Sequence, residues 1–76
     1  MNNEDTNQII NKQLILTAFE KQLEIHIVLQ DKTWRNGFVK EILADFFMFK
    51  DRENPIEPFF YIELKDVKPY VREEKR

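Results

Sequence analysis

The segment from Leu23 to Asp51, in which two short polar breaks separate three runs of residues, most constrains the fold. The first run alternates strictly between apolar and polar residues, whereas the third, at 46–50, is continuously apolar, which predicts a strand covered on both faces. A period of two is typical of strands with one buried face, since successive side chains of a strand point to opposite sides. The breaks are short enough to be turns between antiparallel neighbours. The segment therefore predicts a meander of three strands, at residues 23–29, 33–43 and 46–50.

A short helix is predicted ahead of the meander, over residues 8–19. Thr6 and Asn7 offer N-cap oxygens at its start. Its second half is apolar nearly all round, which is typical of a helix that is covered on more than one side. One interpretation is that the helix plugs an open end of a barrel. The alternative is that its second apolar side meets another subunit.

Two further strands are predicted behind the meander, at 59–64 and 67–71, after the proline-containing loop 51–58. A tight turn at residues 65–66 is expected to join them. Because proline lacks the N–H that a ladder needs, Pro69 belongs on an edge strand or with its nitrogen facing away from the ladder.

The only glycine, Gly37, lies in the second strand, where a small barrel must bend sharply. A helix followed by five short strands is the layout of a mainly β fold, with an N-terminal helix and a five-stranded, strongly bent, antiparallel SH3-like barrel. The chain is short enough for one domain. The predicted domain spans 1–76, with a flexible start (1–7), the helix (8–19), the barrel (23–71) and a frayed tail (72–76).

Composition limits both the stability and the function of this domain. A core built from 76 residues is small, and the chain has no Cys for a disulfide or a metal site, so self-association is the remaining means of stabilising it. Lys and Arg number 12 against 14 Asp and Glu, which disfavours a protein that holds polyanions chiefly by charge. The chain lacks the features of a signal peptide or a membrane span, so a soluble, cytoplasmic protein is expected.

No set of residues has the pattern of a catalytic or metal site. Ser and Cys are absent, the Thr residues have no recognisable base partner, and His26 is the only histidine. His26 lies on the outward face of the first predicted strand, where a surface or interface role is expected. The sequence therefore predicts a protein that is not an enzyme and uses no cofactor and no metal.

The stretch from Phe19 to Asp51 resembles the first motif of the Sm-like (LSm and Hfq-type) proteins. It has alternating apolar residues in the first strand, a turn at Asp31-Lys32, the aromatic Trp34, then Gly37, and an apolar third strand. The resemblance implies an SH3-like barrel behind an N-terminal helix. It also implies a ring of subunits, in which the fourth strand of one subunit pairs with the fifth strand of the next.

The residues at the family's uridine pocket depart from its pattern. Asp45 and Met48 match, whereas Phe49 stands where the family has an Asn. Glu63 stands where the family has the Arg of a second motif, and its charge is wrong for a phosphate contact. The resemblance thus implies the fold and a ring, with any nucleic acid bound at another surface.

Trp34 and the cations around it form the candidate nucleic-acid surface, because single strands bind where bases stack on an aromatic face beside cations that follow the backbone. The predicted nucleic-acid-binding residues are Lys32, Trp34, Arg35, Lys40, Lys50 and Arg52. The alternative for Trp34, which so small a core favours, is that the indole packs under the helix.

Large apolar side chains in the last two strands predict a contact between subunits. The predicted interface residues are Phe59, Phe60, Tyr61, Ile62, Val67 and Tyr70. The alternative is a monomer in which these side chains belong to the core. Two functions thus stay open: a ring-forming, Sm-like binder of RNA or another single-stranded nucleic acid, and an SH3-like protein-interaction or assembly module with a protein partner.

Overall fold

An N-terminal helix precedes five antiparallel strands that form a single sheet. The structure is a computed structural model that describes residues 3–70. The elements are α1 (Asn3–Lys21), β1 (Ile25–Leu29), β2 (Trp34–Ile42), β3 (Phe46–Asp51), β4 (Glu57–Phe60), a 3-10 helix (Tyr61–Glu63) and β5 (Leu64–Pro69). The predicted mainly β fold, a helix followed by five antiparallel strands, is confirmed.

The strands lie in the order β4-β3-β2-β1-β5, so β4 and β5 are the two edges of the sheet. Within residues 3–70 no ladder joins β4 to β5, and the sheet stays open between them. Pro69 lies in the edge strand β5, as predicted. Val71 and the predicted tail 72–76 lie outside the described residues.

Helix α1 begins at Asn3, earlier than the sequence pattern indicates. The predicted helix start at residue 8 is therefore five residues too late. The helix packs against β2, β5 and the 3-10 helix, and there it buries Asn11, Ile15 and Ala18. Spacings of four and three residues place these three side chains on one face, so the helix covers one side of the core.

A Schellman motif ends the helix, and β1 begins after it at Ile25, two residues later than predicted. Gln22 has a φ of 55°, and its N–H donates to the carbonyl of Phe19 at 3.3 Å. The N–H of Leu23 donates to the carbonyl of Ala18 at 3.0 Å. Leu23, with which the first strand was predicted to begin, therefore completes the helix cap instead, and it is 45% exposed.

The fourth and fifth strands differ from the prediction in their bounds. β4 ends at Phe60, and β5 begins at Leu64, so the predicted turn at 65–66 lies inside a strand. The 3-10 helix makes the turn instead. Tyr61 and Leu64 are both buried, and a spacing of three puts them on the same side of a 3-10 turn but on opposite faces of a strand.

At Gly37 the backbone of β3 lies close against β2. A Cβ at this position would lie 2.3 Å from the carbonyl oxygen of Lys50, so only glycine admits the approach. Further along β2 the register shifts between Val39 and Glu41, which is a bulge. Bulges bend a strand and increase its twist, so β2 bends after Val39, whereas the sequence predicts the corner at Gly37.

The core is a cluster of aromatic rings extended by aliphatic side chains. Phe47 is fully buried, and its ring centroid is 5.5 Å from that of Tyr61 and 6.1 Å from those of Phe49 and Phe59. The buried aliphatic residues are Ile15, Ala18, Ile25, Ile27, Leu29, Val39, Leu64 and Val67. Among the described residues, no helix is long and apolar enough to cross a membrane.

Candidate functional site

An open cleft of about 380 Å³ lies beside the first residues of β2. The loop after β3 contributes to its lining, as do Glu24 and Tyr70, which flank β1 and β5. The N–H of Tyr70 donates to the carbonyl of Glu24 at 3.1 Å, which extends the pairing of β1 with β5 and fixes Tyr70 in place. The volume lies in the range of small-ligand sites, so the cleft is the candidate binding site.

Trp34 lines the cleft and is 59% exposed. The expectation that its indole packs under the helix is therefore wrong. The reason lies in the alternation of β2, because Gly37 and Val39 face the core and Trp34 stands on the other side of the strand. Tyr70, in the same lining, is 38% exposed. The cleft thus presents two accessible aromatic side chains.

His26 and Asn36 stand directly opposite each other on β1 and β2, next to Trp34. The imidazole centroid lies 5.4 Å from that of the indole, with the ring planes tilted by 34°. Nδ1 of His26 lies 2.6 Å from Oδ1 of Asn36, which is a short hydrogen bond. Asn36 lines the cleft, so this pair links the cleft lining to β1.

Arg35, which was predicted to contact nucleic acid, is held by two carboxylates. Its Nη1 donates to Asp51 at 3.2 Å and to Glu57, and its guanidinium lies over the ring of Phe59. The hydrogen bond with Glu57 is the main cause of a raised pKa for Arg35. With its charge already balanced, Arg35 supports the cleft wall more than it attracts an anion.

Asp51 organises the loop that borders the cleft. Its Oδ1 accepts from the backbone N–H of Glu53 at 2.9 Å and of Asn54 at 2.7 Å, and the side-chain amide of Asn54 donates to both carboxylate oxygens. These hydrogen bonds, first of all the side-chain bond from Asn54, lower the pKa of Asp51 to about 2. Nζ of Lys50 donates to the carbonyls of Asp51 and Asn54, so this cation is also committed to the loop.

The charged residues of the cleft lining have a slight negative excess. Glu24, Asp51 and Glu53 bring three carboxylates, and Arg35 and Arg52 bring two guanidiniums. Arg35 is engaged with Asp51, whereas Arg52 makes no ion pair within the described part of the chain. Any ligand phosphate would therefore meet Arg52 first, and attraction by charge alone is weak here.

The structure brings three of the six predicted nucleic-acid-binding residues into one cleft, namely Trp34, Arg35 and Arg52. Lys32 lies in the turn before β2 with a φ of 75°, and Lys40 lies over the ring of Phe38, so neither lines the cleft. Lys50 is bonded to the loop. The sequence interpretation missed Asn36, although alternation along β2 already places it on the same side as Trp34.

The predicted interface residues separate into buried and exposed sets. Phe59, Tyr61 and Val67 are core residues with at most 7% of their surface exposed, so their side chains are closed to a partner. Phe60 and Ile62 are 43% and 67% exposed. Tyr70 belongs to the cleft. Of the six, only Phe60 and Ile62 therefore lie on an exposed apolar surface outside the cleft.

Phe60 and Ile62 border a second, more open groove of about 570 Å³ between α1 and the 3-10 helix. Ile9 of the helix faces the same groove and is 58% exposed. Tyr61 also contributes to its lining, and burial raises the pKa of the Tyr61 hydroxyl. The groove is largely apolar, so its chemistry differs from that of the cleft. We call it the helix groove.

The positions that resemble the family's uridine pocket do not form a polar site. Asp45 is exposed in the turn before β3, Met48 is half-buried, and Phe49 is in the core.

Among the residues described, no group of three His, Cys, Asp or Glu side chains is placed to hold a metal ion. The chain matches no family model and no curated protein.

Proposed function

We propose that this protein is an Sm-like binder of single-stranded nucleic acid and that it holds a base against Trp34 in the cleft. The observation that carries the proposal is the position of this indole, which is 59% exposed in a cleft large enough for a small ligand. An exposed aromatic face stacks any base, because every base has a π-face. The layout of a helix followed by a bent five-stranded sheet supports the family resemblance.

The residues around Trp34 suit the parts of a nucleotide. Tyr70 offers a second aromatic surface, Asn36 offers polar atoms to a base edge, and Arg52 offers a cation to a phosphate. Because the charges of the lining nearly cancel, stacking contributes more to the affinity than counterion release does. The expected binding is therefore modest in strength and only weakly dependent on salt.

The first prediction concerns Trp34 itself. Replacing Trp34 with Ala is expected to weaken binding of an end-labelled oligouridine or oligoadenosine by roughly 5- to 150-fold, since loss of a stacked base costs about 1–3 kcal/mol. Fluorescence anisotropy of the labelled strand measures the loss. With the unmodified protein, quenching of its only Trp by an unlabelled strand reports the stack directly. Unchanged affinity in W34A, or no binding by the unmodified protein at low salt, contradicts the proposal.

Ile10→Ala is a suitable control for this experiment. Ile10 is 50% exposed on α1 and does not line the cleft. The substitution removes exposed apolar surface without touching the site, so its affinity is expected to equal that of the unmodified protein.

The second prediction separates the cations. Replacing Arg52 with Ala is expected to lower the slope of log K against log salt by about 0.7, the value for one phosphate of a single strand. Replacing Lys40, which carries the same charge but lies outside the cleft, is expected to leave the slope unchanged. Titrations of both variants at several salt concentrations measure this difference. A larger effect of K40A than of R52A would place the nucleic acid on another surface.

A second function, assembly with further copies of the chain, is favoured by the helix groove. Ile9, Phe60 and Ile62 expose apolar surface beside β4, an open edge of the sheet. Apolar side chains next to an unpaired edge favour pairing with another chain, and a small core gains stability from it. This arrangement agrees with the ring that the family resemblance implies, with β4 and β5 at the seam.

The native mass of the nuclease-treated protein tests assembly. Light scattering is expected to give a multiple of the 9.3 kDa chain mass, and Ile62→Lys is expected to lower it by placing a charge on the apolar surface. Leu23→Lys, at an exposed apolar residue that does not line the helix groove, is the matched control and is expected to keep the mass. A monomer at high protein concentration would rule out self-assembly and leave the cleft proposal intact.

A further inference from the structure

We infer that Pro58 and Pro69 close the two open edges of the sheet to strand pairing, so that copies of the chain meeting at β4 are held by side chains of the helix groove. The part about side chains rests on the assembly proposed above, whereas the part about the edges concerns the single chain. Such a contact differs from a seam in which the fourth strand of one subunit forms a ladder with the fifth strand of the next.

The direction of the main-chain groups of β4 follows from its ladder with β3. In an antiparallel ladder, alternate residues exchange hydrogen bonds with the partner strand, and the main-chain groups of the residues between them point away from it. The N–H of Tyr61 donates to the carbonyl of Asp45 at 3.1 Å, so the next residue that bonds to β3 is Phe59. The main-chain groups of Pro58 and Phe60 therefore point outwards. Since proline has no N–H, only Phe60 offers an outward donor in β4.

The hairpin between β2 and β3 gives the same directions. The N–H of Leu43 donates to the carbonyl of Phe46 at 2.9 Å, so the main-chain groups of Phe46 point to β2. Those of the next residue, Phe47, then point to β4, where Phe59 is its register partner. Two separate hydrogen bonds thus place the nitrogen of Pro58 on the outward edge.

β5 has the same arrangement at the other edge of the sheet. The N–H of Tyr70 donates to the carbonyl of Glu24 at 3.1 Å, so its main-chain groups point towards β1, and those of Pro69 point outwards. The main-chain groups of Val67 point outwards as well, and its N–H donates to Oδ1 of Asp66 at 2.9 Å. One outward position of β5 thus lacks a donor, and the donor at the other is already engaged.

A ladder between the two edges would therefore be short. The most favourable antiparallel register puts Phe60 of one copy opposite Val67 of another, and the second of its two hydrogen bonds requires Val67 to leave Asp66. The next bonded position puts Pro58 opposite Pro69, where neither residue has a donor. In the other direction β4 gives way to the 3-10 helix. Natural sheets use proline on exposed edges to avoid edge-to-edge pairing, and both edges here have that feature.

The side chains beside β4 then form the contact surface. Ile9, Phe60 and Ile62 are exposed, and all three line the helix groove. Lys12 and Asp45 lie in the same lining, so the groove carries one charge of each sign. A second copy presents the same apolar residues and both charges, so it matches the groove in apolar surface and in charge.

Restoring the N–H at position 58 tests the edge. Pro58→Val supplies the missing donor, and valine is a favourable strand residue. Because β4 then has outward donors at both positions, the mean particle mass is expected to rise about twofold or more in light scattering at equal concentration. Pro55→Ala removes a proline from the loop before β4 and is expected to keep the mass. An unchanged mass in P58V that circular dichroism shows to be folded overturns the inference.

Amide hydrogen exchange of the unmodified protein keeps the inference testable if P58V does not fold. The N–H of Val67 is the informative group, because this residue does not line the helix groove and a ladder with β4 of another copy would slow its exchange. Its exchange rate is expected to be the same in the assembled protein as in the Ile62→Lys variant, which is expected to dissociate. Slower exchange in the assembly means that a ladder forms there.

The outcomes separate this inference from the proposed assembly. A monomeric unmodified protein contradicts the assembly, whereas a P58V variant that then associates still supports the closed edges. An assembled protein with slowed exchange at Val67 leaves the assembly standing and overturns the inference. Unslowed exchange at Val67 together with larger particles in P58V supports both.

Discussion

Replacing Phe47 with Ala is expected to lower the free energy of unfolding by about 4 kcal/mol and to leave little folded protein. The ring of Phe47 is fully buried and lies within 6.1 Å of the rings of Phe49, Phe59 and Tyr61, measured between centroids. Its removal leaves a cavity in the middle of these rings that so small a core cannot close. Small single-core domains have only a few kcal/mol of stability in total, so the loss is close to the whole.

Denaturant unfolding followed by circular dichroism measures this loss. Phe60→Ala is the matched control, because it removes the same side chain from a neighbouring strand at a position that is 43% exposed. Its cost is expected to stay near 1 kcal/mol, from the lost contact with Phe46. Equal destabilisation by F47A and F60A would mean that the aromatic cluster is not the centre of the core.

The meander is predictable because its signal is local. Burial alternates through β1 and β3, and strict alternation in the sequence already separates Ile25, Ile27 and Leu29 from their neighbours. The turn between β1 and β2 is likewise marked by polar residues, with Asp31 accepting from both the N–H and the hydroxyl of Thr33. Strand boundaries follow from such patterns where one face is buried and the other is wet.

The last part of the chain is harder to predict because two periods overlap there. Phe59 and Tyr61 are buried at a spacing of two, and Tyr61 and Leu64 are buried at a spacing of three. The first spacing favours a strand through residue 64, whereas the second requires a 3-10 turn. The choice depends on the ladder of β5 with β1, which pairs Leu64 with Leu29, a contact between distant parts of the chain.

The candidate site is only partly visible in the sequence, since its chemistry depends on which partners the fold supplies. The sequence alone identifies Trp34 and Arg52 as candidate site residues, because one is aromatic and the other is a cation. The engagement of Arg35 by Asp51 and Glu57 links residues far apart in sequence, and no local pattern indicates it. The same holds for the bond between His26 and Asn36, which requires the register of β1 against β2.

Replacing Gly37 with Ala is expected to destabilise the protein by about 3 kcal/mol or more, because the added Cβ meets main-chain atoms and no side chain can move aside. It would lie 2.3 Å from the carbonyl oxygen of Lys50 and 2.9 Å from Cα of Asp51. The φ of Gly37 is not positive, so backbone strain in the substituted residue does not contribute. By itself, the change from Gly to Ala in an unstrained position would stabilise the fold by about 0.4–1 kcal/mol, so the sign of the measured change identifies the crowding.

Glu41→Ala, at an exposed position of the same strand, is the control and is expected to change stability by less than about 0.5 kcal/mol. If G37A is as stable as the unmodified protein, β3 does not approach β2 as closely as the structure shows.

The substitution at Gly37 is also expected to alter the cleft. Lys50 and Asp51 hold the loop that borders the cleft, so a β3 displaced by the new Cβ carries that loop away from Trp34. G37A that stays folded at low temperature is therefore expected to bind oligonucleotides more weakly, although Gly37 itself does not line the cleft.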